Sequence, residues 1–187
     1  MSSSLFILGG ARSGKSRFAL AGLPSRGRVT VVATAEAGDP DMAARIARHR
    51  AERSPHWTTL EAPHDLVPRL REALRAADTV VVDCLTLWVA NLMGRGDSDE
   101  AIAKEADRLA ALAAAPAADV RIVSNEVGLG VHPPTAEGLR FRDVLGIVNQ
   151  RVAAAAHRVV LLVAGQPLVL KDVPPASPSD VRAPEAP

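Results

Sequence analysis

A chain of 187 residues, 48% hydrophobic and 23% charged, is sized for one compact domain with its own core and leaves no room for two ordinary ones. Its net charge of +1 excludes a global field that would draw it to nucleic acid or an anionic membrane, and two Trp with three Phe leave few platforms for stacking single-stranded bases. The single cysteine, Cys84, excludes an intrachain disulfide framework, and neither the start of the chain nor any later apolar run reads as a signal peptide or a membrane span, so the sequence predicts a cytoplasmic protein.

In chain order, short apolar runs alternate with stretches of helical period. Strands are predicted at Leu5–Leu8, Arg28–Thr34, Thr79–Asp83, Val120–Ser124 and Arg158–Val163, with an edge strand over Pro167–Lys171. Helices are predicted at Lys15–Ala21, Asp41–Arg53, His64–Ala76, Asp99–Ala115 and Thr135–Ala156. This alternation predicts an α/β fold: a single domain over residues 1–171 with a mostly parallel sheet flanked by helices. Residues 172–187 hold five prolines and no periodicity, and read as a disordered or draped tail.

Chemistry enters first at Gly9-Gly10-Ala11-Arg12-Ser13-Gly14-Lys15-Ser16, which has the spacing of a phosphate-binding loop between a strand and a helix. The glycines permit close backbone approach, and successive N–H groups with a helix N-terminus supply an anion site. Lys15 is placed to reach the β- and γ-phosphates and the Ser16 hydroxyl to bind Mg²⁺. Asp83, ending its predicted strand, sits where ligands meet an α/β sheet; it is a second metal candidate or else the N-cap of the next segment. The guanine-reading pattern [NT]-K-x-D is absent, which leaves a small-molecule kinase or a nucleotidyl transferase. His49 shares a helix face with Arg45, Glu52 and Arg53; it is either a nucleophile for an α-phosphate among arginines or an exposed histidine on a solvated basic helix.

Taken together, GGARSGKSRFA (9–19), VVATAEAGDPDMAARIARHRAERSPHWTTLEAP (31–63), VVVDCLTLWVANLM (80–93) and VSNEVGLGVHPPTAEGLRFRDVLGIVNQRVAAAAHRVVLLVAG (123–165) resemble the bifunctional adenosylcobinamide kinase / adenosylcobinamide-phosphate guanylyltransferases of cobalamin biosynthesis. The resemblance implies a homotrimer of P-loop α/β subunits that phosphorylates adenosylcobinamide with ATP or GTP. It then implies transfer of GMP from GTP to adenosylcobinamide-phosphate through a guanylylated histidine, which falls on His49. Nucleotide contacts implied in the same way fall on Gly9 to Ser16, on Ala33, Thr34 and Ala35, on Arg50, Ala51, Glu52 and Arg53, on Glu61, and on Asp83, where the family often carries Glu. Asn125-Glu126-Val127-Gly128 fits a corrinoid-side or nucleotide-side loop; Phe141-Arg142-Asp143 and Asn149-Gln150-Arg151 are substrate or subunit contacts, or simply a polar helix face. Two rivals stand beside this reading: a P-loop kinase for another metabolite, and a nucleotide-responsive binding module.

Overall fold

The computed structural model of the chain describes residues 2–173. Its elements are β1 (Ser4–Gly9), α1 (Lys15–Leu20), β2 (Val29–Ala33), α2 (Pro40–Ala51), β3 (Thr58–Glu61), α3 (Leu66–Ala76), β4 (Thr79–Asp83), α4 (Leu85–Arg95), α5 (Asp99–Ala114), β5 (Asp119–Val123), α6 (Ala136–Ala155), β6 (Arg158–Val163) and β7 (Gln166–Asp172). The strands form one sheet in the order β3-β2-β4-β5-β1-β6-β7. All neighbours run parallel except β7, which turns back antiparallel on β6 and carries Pro167 at the sheet's edge.

The strands are apolar throughout because both faces are covered. Phe6, Leu8, Val80, Val82, Val120 and Ile122 point into a core shared with α3, α4, α5 and α6, whereas Ile7, Val31, Val81 and Val123 point toward α1. Trp88 of α4 is fully buried in the larger core, and its indole N–H donates to the His64 carbonyl at 3.1 Å.

Two elements go beyond the predicted set. β3 is a four-residue edge strand, T-T-L-E, with no buried residue and no apolar run to announce it. α4 begins directly after Cys84, which makes no side-chain capping bond, so no start signal separates it from the strand before it. Its buried Leu85, Trp88, Val89 and Leu92 nevertheless follow helical spacing. Two boundaries also move. β7 keeps Asp172, paired with Arg158, so the ordered sheet takes the first residue assigned to the Pro-rich segment; residues 174–187 of that segment lie outside the described residues. α2 stops at Ala51, which puts Arg53 beyond the helix, on the way into β3.

α2 starts where the sequence signals it. Asp39 caps it by accepting the Met42 N–H at 2.7 Å, with Pro40 opening the first turn. None of its residues is buried. It packs on no core and instead stands over the edge where the parallel strands end, the usual ligand edge of such a sheet.

Candidate nucleotide site

A cleft of about 890 Å³ opens along that edge. Its floor is made by strand ends: Ala33 of β2, Asp83 of β4 and Val123 of β5. One wall is the loop between β1 and α1, and the other is the inner face of α2.

The loop's shape follows from its glycines. Gly14, with φ +97°, turns the chain into α1. At Gly9 a Cβ would lie 2.6 Å from the Ser13 hydroxyl and 2.7 Å from the Leu162 carbonyl oxygen, so only glycine fits between loop and β6. The Ser13 carbonyl is in turn held by the Gly165 N–H at 3.1 Å, tying the loop to the β6–β7 turn. Lys15 begins α1 and is buried; its Nζ donates to the Gly10 carbonyl at 2.6 Å. Burial holds its ammonium below the ordinary lysine pKa, and the negative charge of Asp83 opposes that shift. A partly desolvated cation on an N-terminal helix turn is prepared for an anion that restores its lost solvation.

Across the cleft, Asp83 meets an imidazole of α2 and a guanidinium just beyond that helix. Its Oδ2 lies 3.7 Å from His49 Nδ1 and 3.8 Å from an Arg53 guanidinium nitrogen. Arg53 also donates to Thr59 of β3 at 3.4 Å. Burial draws the Arg53 guanidinium below its usual pKa, against the opposing charges of Asp83 and Glu61. Arg50 is ion-paired with Glu61. Cys84 follows Asp83, and burial pushes its thiol up, so it remains a protonated sulfur rather than a nucleophile.

Most of the residues predicted for nucleotide contact do come together on this cleft: Ala11 to Ser16, Ala33, Ala35, His49, Arg50, Glu52, Arg53, Glu61 and Asp83. Thr34 stands beneath them. Its hydroxyl donates to the Cys84 carbonyl at 2.7 Å and accepts the Cys84 N–H at 2.9 Å, its own N–H donates to Asp83 and its carbonyl accepts from Asn91. Every polar group of Thr34 is thus committed, and the fully buried residue joins β2 to β4 under the floor rather than facing the cleft. Gly9 is buried behind the loop, Gly10 turns its carbonyl to Lys15, and Ala51 faces solvent; none of these three lines the cleft.

Several lining residues went unnoticed as site candidates: Met42, Ile46, Arg48, Thr86 and Leu87, with Asn125 assigned only to a loop of open orientation. Met42, Arg45, Ile46 and His49 share one helical stripe, so the apolar pair of α2 faces the cleft together with Arg45 and His49. The sequence shows Met42 and Ile46 four residues apart on a basic helix, but only the structure shows that they have no core to pack on.

Ser16 and Asp83 offer one hydroxyl and one carboxylate to the cleft, and among the described residues no group of three or more His, Cys, Asp and Glu side chains converges. That sparse set suits Mg²⁺, which keeps waters and phosphate oxygens, better than a metal caged wholly by protein.

Residues 5–170 match the family described as cobinamide kinase / cobinamide phosphate guanyltransferase. The bifunctional adenosylcobalamin biosynthesis protein CobP of Pseudomonas aeruginosa is 44% identical over 169 residues, spanning 90% of this chain and 97% of that protein. The similarly described CobU proteins of Escherichia coli and Salmonella typhimurium are 39% and 38% identical, each over 86% of this chain and 96% of their own length.

Proposed function

The chain belongs to the cobinamide kinase / cobinamide phosphate guanyltransferase family and is a bifunctional kinase and guanylyltransferase, and we propose that its guanylyl transfer runs through GMP bound covalently to His49. The substrates in this reading are adenosylcobinamide with ATP or GTP for the first activity, and adenosylcobinamide-phosphate with GTP for the second. The observation that carries it is a single cleft in which an imidazole faces a phosphate loop.

With GTP in the cleft, its terminal phosphates lie on the loop and Lys15. Asp83 faces His49 Nδ1, which leaves Nε2 free to attack the α-phosphorus. The P–N bond forms as the bond from the α-phosphorus to the bridging oxygen of pyrophosphate breaks, and pyrophosphate leaves with that electron pair. Asp83 steadies the positive charge on the substituted ring, and Lys15 and Arg53 counter the charge on the leaving group. A phosphate oxygen of adenosylcobinamide-phosphate then attacks the same phosphorus, the P–N bond breaks, and His49 is restored with adenosylcobinamide-GDP formed. In the kinase reaction the substrate hydroxyl attacks the γ-phosphorus and loses its proton to solvent, the bond from the γ-phosphorus to the β,γ-bridging oxygen breaks, and the nucleoside diphosphate leaves with that electron pair; His49 takes no part. Mg²⁺, which Ser16 and Asp83 are suited to hold, would neutralise charge on the phosphates when bound.

The reading extends to a homotrimer acting in the cytoplasm. Exposed Leu168, Val169 and Leu170 on β7, beside exposed Val163 of β6, support self-association through that edge. The test of the central claim is incubation with α-labelled GTP. Wild-type protein is expected to take up acid-labile label, His49→Ala to take up none while still binding GTP; full labelling of His49→Ala would overturn the assignment.

A further inference from the structure

Resting on this guanylyl-transfer reading, we propose that Asn125 is a further nucleotide-contact residue, whose side-chain amide donates to the terminal phosphate of the bound triphosphate. The sheet order β2-β4-β5-β1 sets an order along the cleft. At one end, His49 and Arg53 converge on Asp83 at the tip of β4. At the other, the phosphate loop springs from β1. β5 runs between them, with Val123 in register with Asp83 on one side and with Ile7 on the other, and Asn125 follows its tip into the cleft.

The backbone around Asn125 is pinned from three sides. Its N–H donates to the Thr86 hydroxyl at 2.8 Å, its carbonyl accepts from the Asn149 amide at 3.0 Å, and the next N–H, of Glu126, donates to the Gly9 carbonyl at 3.1 Å. Asn149 is 4% exposed and its own amide oxygen has no partner among the described residues. A buried carboxamide kept half-satisfied is costly, and its one bond serves to hold Asn125. Asn125 itself lines the cleft, and its hydrogen bonds to Thr86 and Asn149 are made by its backbone N–H and carbonyl. These bonds fix the backbone and leave the side-chain amide as a donor for a ligand.

Its neighbours identify what it meets. Lys15 Nζ rests on the Gly10 carbonyl, one residue past the Gly9 that Glu126 holds. A lysine at this loop position meets the β- and γ-phosphates, while the α-phosphate must lie under His49 at the β4 end for transfer to occur. The phosphates beyond the α-position therefore extend toward β5 and β1, past Asn125. There its N–H₂ donates to an oxygen that belongs to the leaving pyrophosphate in guanylyl transfer and to the transferred group in the kinase reaction. One residue then serves both activities and distinguishes a triphosphate from a diphosphate.

Calorimetric titration with α,β-methylene-GTP and α,β-methylene-GDP tests this without turnover. Asn125→Ala leaves the three backbone pins in place, and Asn125→Asp preserves shape while removing the donor. For Asn125→Ala, affinity for the triphosphate analogue is expected to fall about tenfold, as for loss of one hydrogen bond to a charged group, with the diphosphate analogue changed less than about twofold. Asn125→Asp is expected to lose more, because a carboxylate repels the phosphate. Equal losses for both analogues, or no loss for either, would overturn the proposal. Neither analogue can transfer its nucleotidyl group, so labelling of wild-type protein by α-labelled GTP judges the guanylyl reading separately.

Discussion

Replacing Lys15 with methionine is expected to separate the stability of the free protein from its response to nucleotide. In the free protein Lys15 is 8% exposed, its charge disfavoured by burial and supported chiefly by the hydrogen bond to Gly10, with a longer one to the Ser13 hydroxyl at 3.5 Å. Lys15→Met removes both the desolvation cost and those bonds, which oppose each other, so the free variant is expected to melt within about 1 kcal/mol of wild type. A pH signature accompanies this. The folded-state pKa of Lys15 is lowered, so between that value and the unfolded lysine value the unfolded chain binds more protons than the folded one. Wild-type stability attributable to Lys15 therefore rises with pH through that window and is flat below it, and Lys15→Met removes the rise. The nucleotide response behaves differently. Loss of a hydrogen bond to charged phosphate costs about 1.5–3 kcal/mol, or roughly ten- to two-hundred-fold in Kd. At GTP a thousand times the wild-type Kd, wild type gains about 4 kcal/mol; a hundredfold weaker Kd leaves about 1.4 kcal/mol. For a domain of this size that is a thermal shift falling from about 8–16 °C to about 3–6 °C. Differential scanning calorimetry with and without GTP reads both quantities. A variant that keeps the full wild-type shift would refute the placement of Lys15 against phosphate.

Thr34→Val is expected to leave both the N–H and the carbonyl of Cys84 without their side-chain partner, costing about 2–5 kcal/mol in chemical denaturation while nucleotide affinity of the folded fraction changes little; a selective loss of affinity would show that Thr34 contacts the ligand after all. Gly9→Ala forces a methyl against the Leu162 carbonyl and is expected to abolish nucleotide binding in titration while the far-UV spectrum is retained. Trp88→Ala empties a fully buried site and orphans the His64 carbonyl, an expected loss of about 3–5 kcal/mol in urea melts; a loss below about 1 kcal/mol would mean the core collapses around the gap.

The shape of the loop from Gly9 to Ser16, and its place between a strand and a helix, were legible because their requirements are local. Gly9, Gly14, Lys15 and Ser16 lie within eight consecutive residues, and each meets its structural need through backbone geometry or through the helix it starts. Asp83 was legible for a related reason: an acid ending a run of valines in a parallel sheet must emerge at the ligand edge. The placement of His49 was not. Its helix neighbours could be counted, but whether α2 faced solvent or a cleft depended on elements far away in the chain.

What the sequence by itself determined, then, is the alternation of buried strands and helices, the glycine-built strand-to-helix loop at Gly9 to Ser16, and the pattern of a basic helix carrying His49, since each depends on periodicity or backbone preference within a few residues. Only the tertiary structure decided which strands are neighbours. Inserting β5 between β1 and β4 put Asn125 between the loop and Asp83, and pairing β2 with β4 turned Thr34 under the floor. Strand order is set by packing between segments tens of residues apart, where the burial of two sheet faces outweighs any local preference, and no short window of sequence records it.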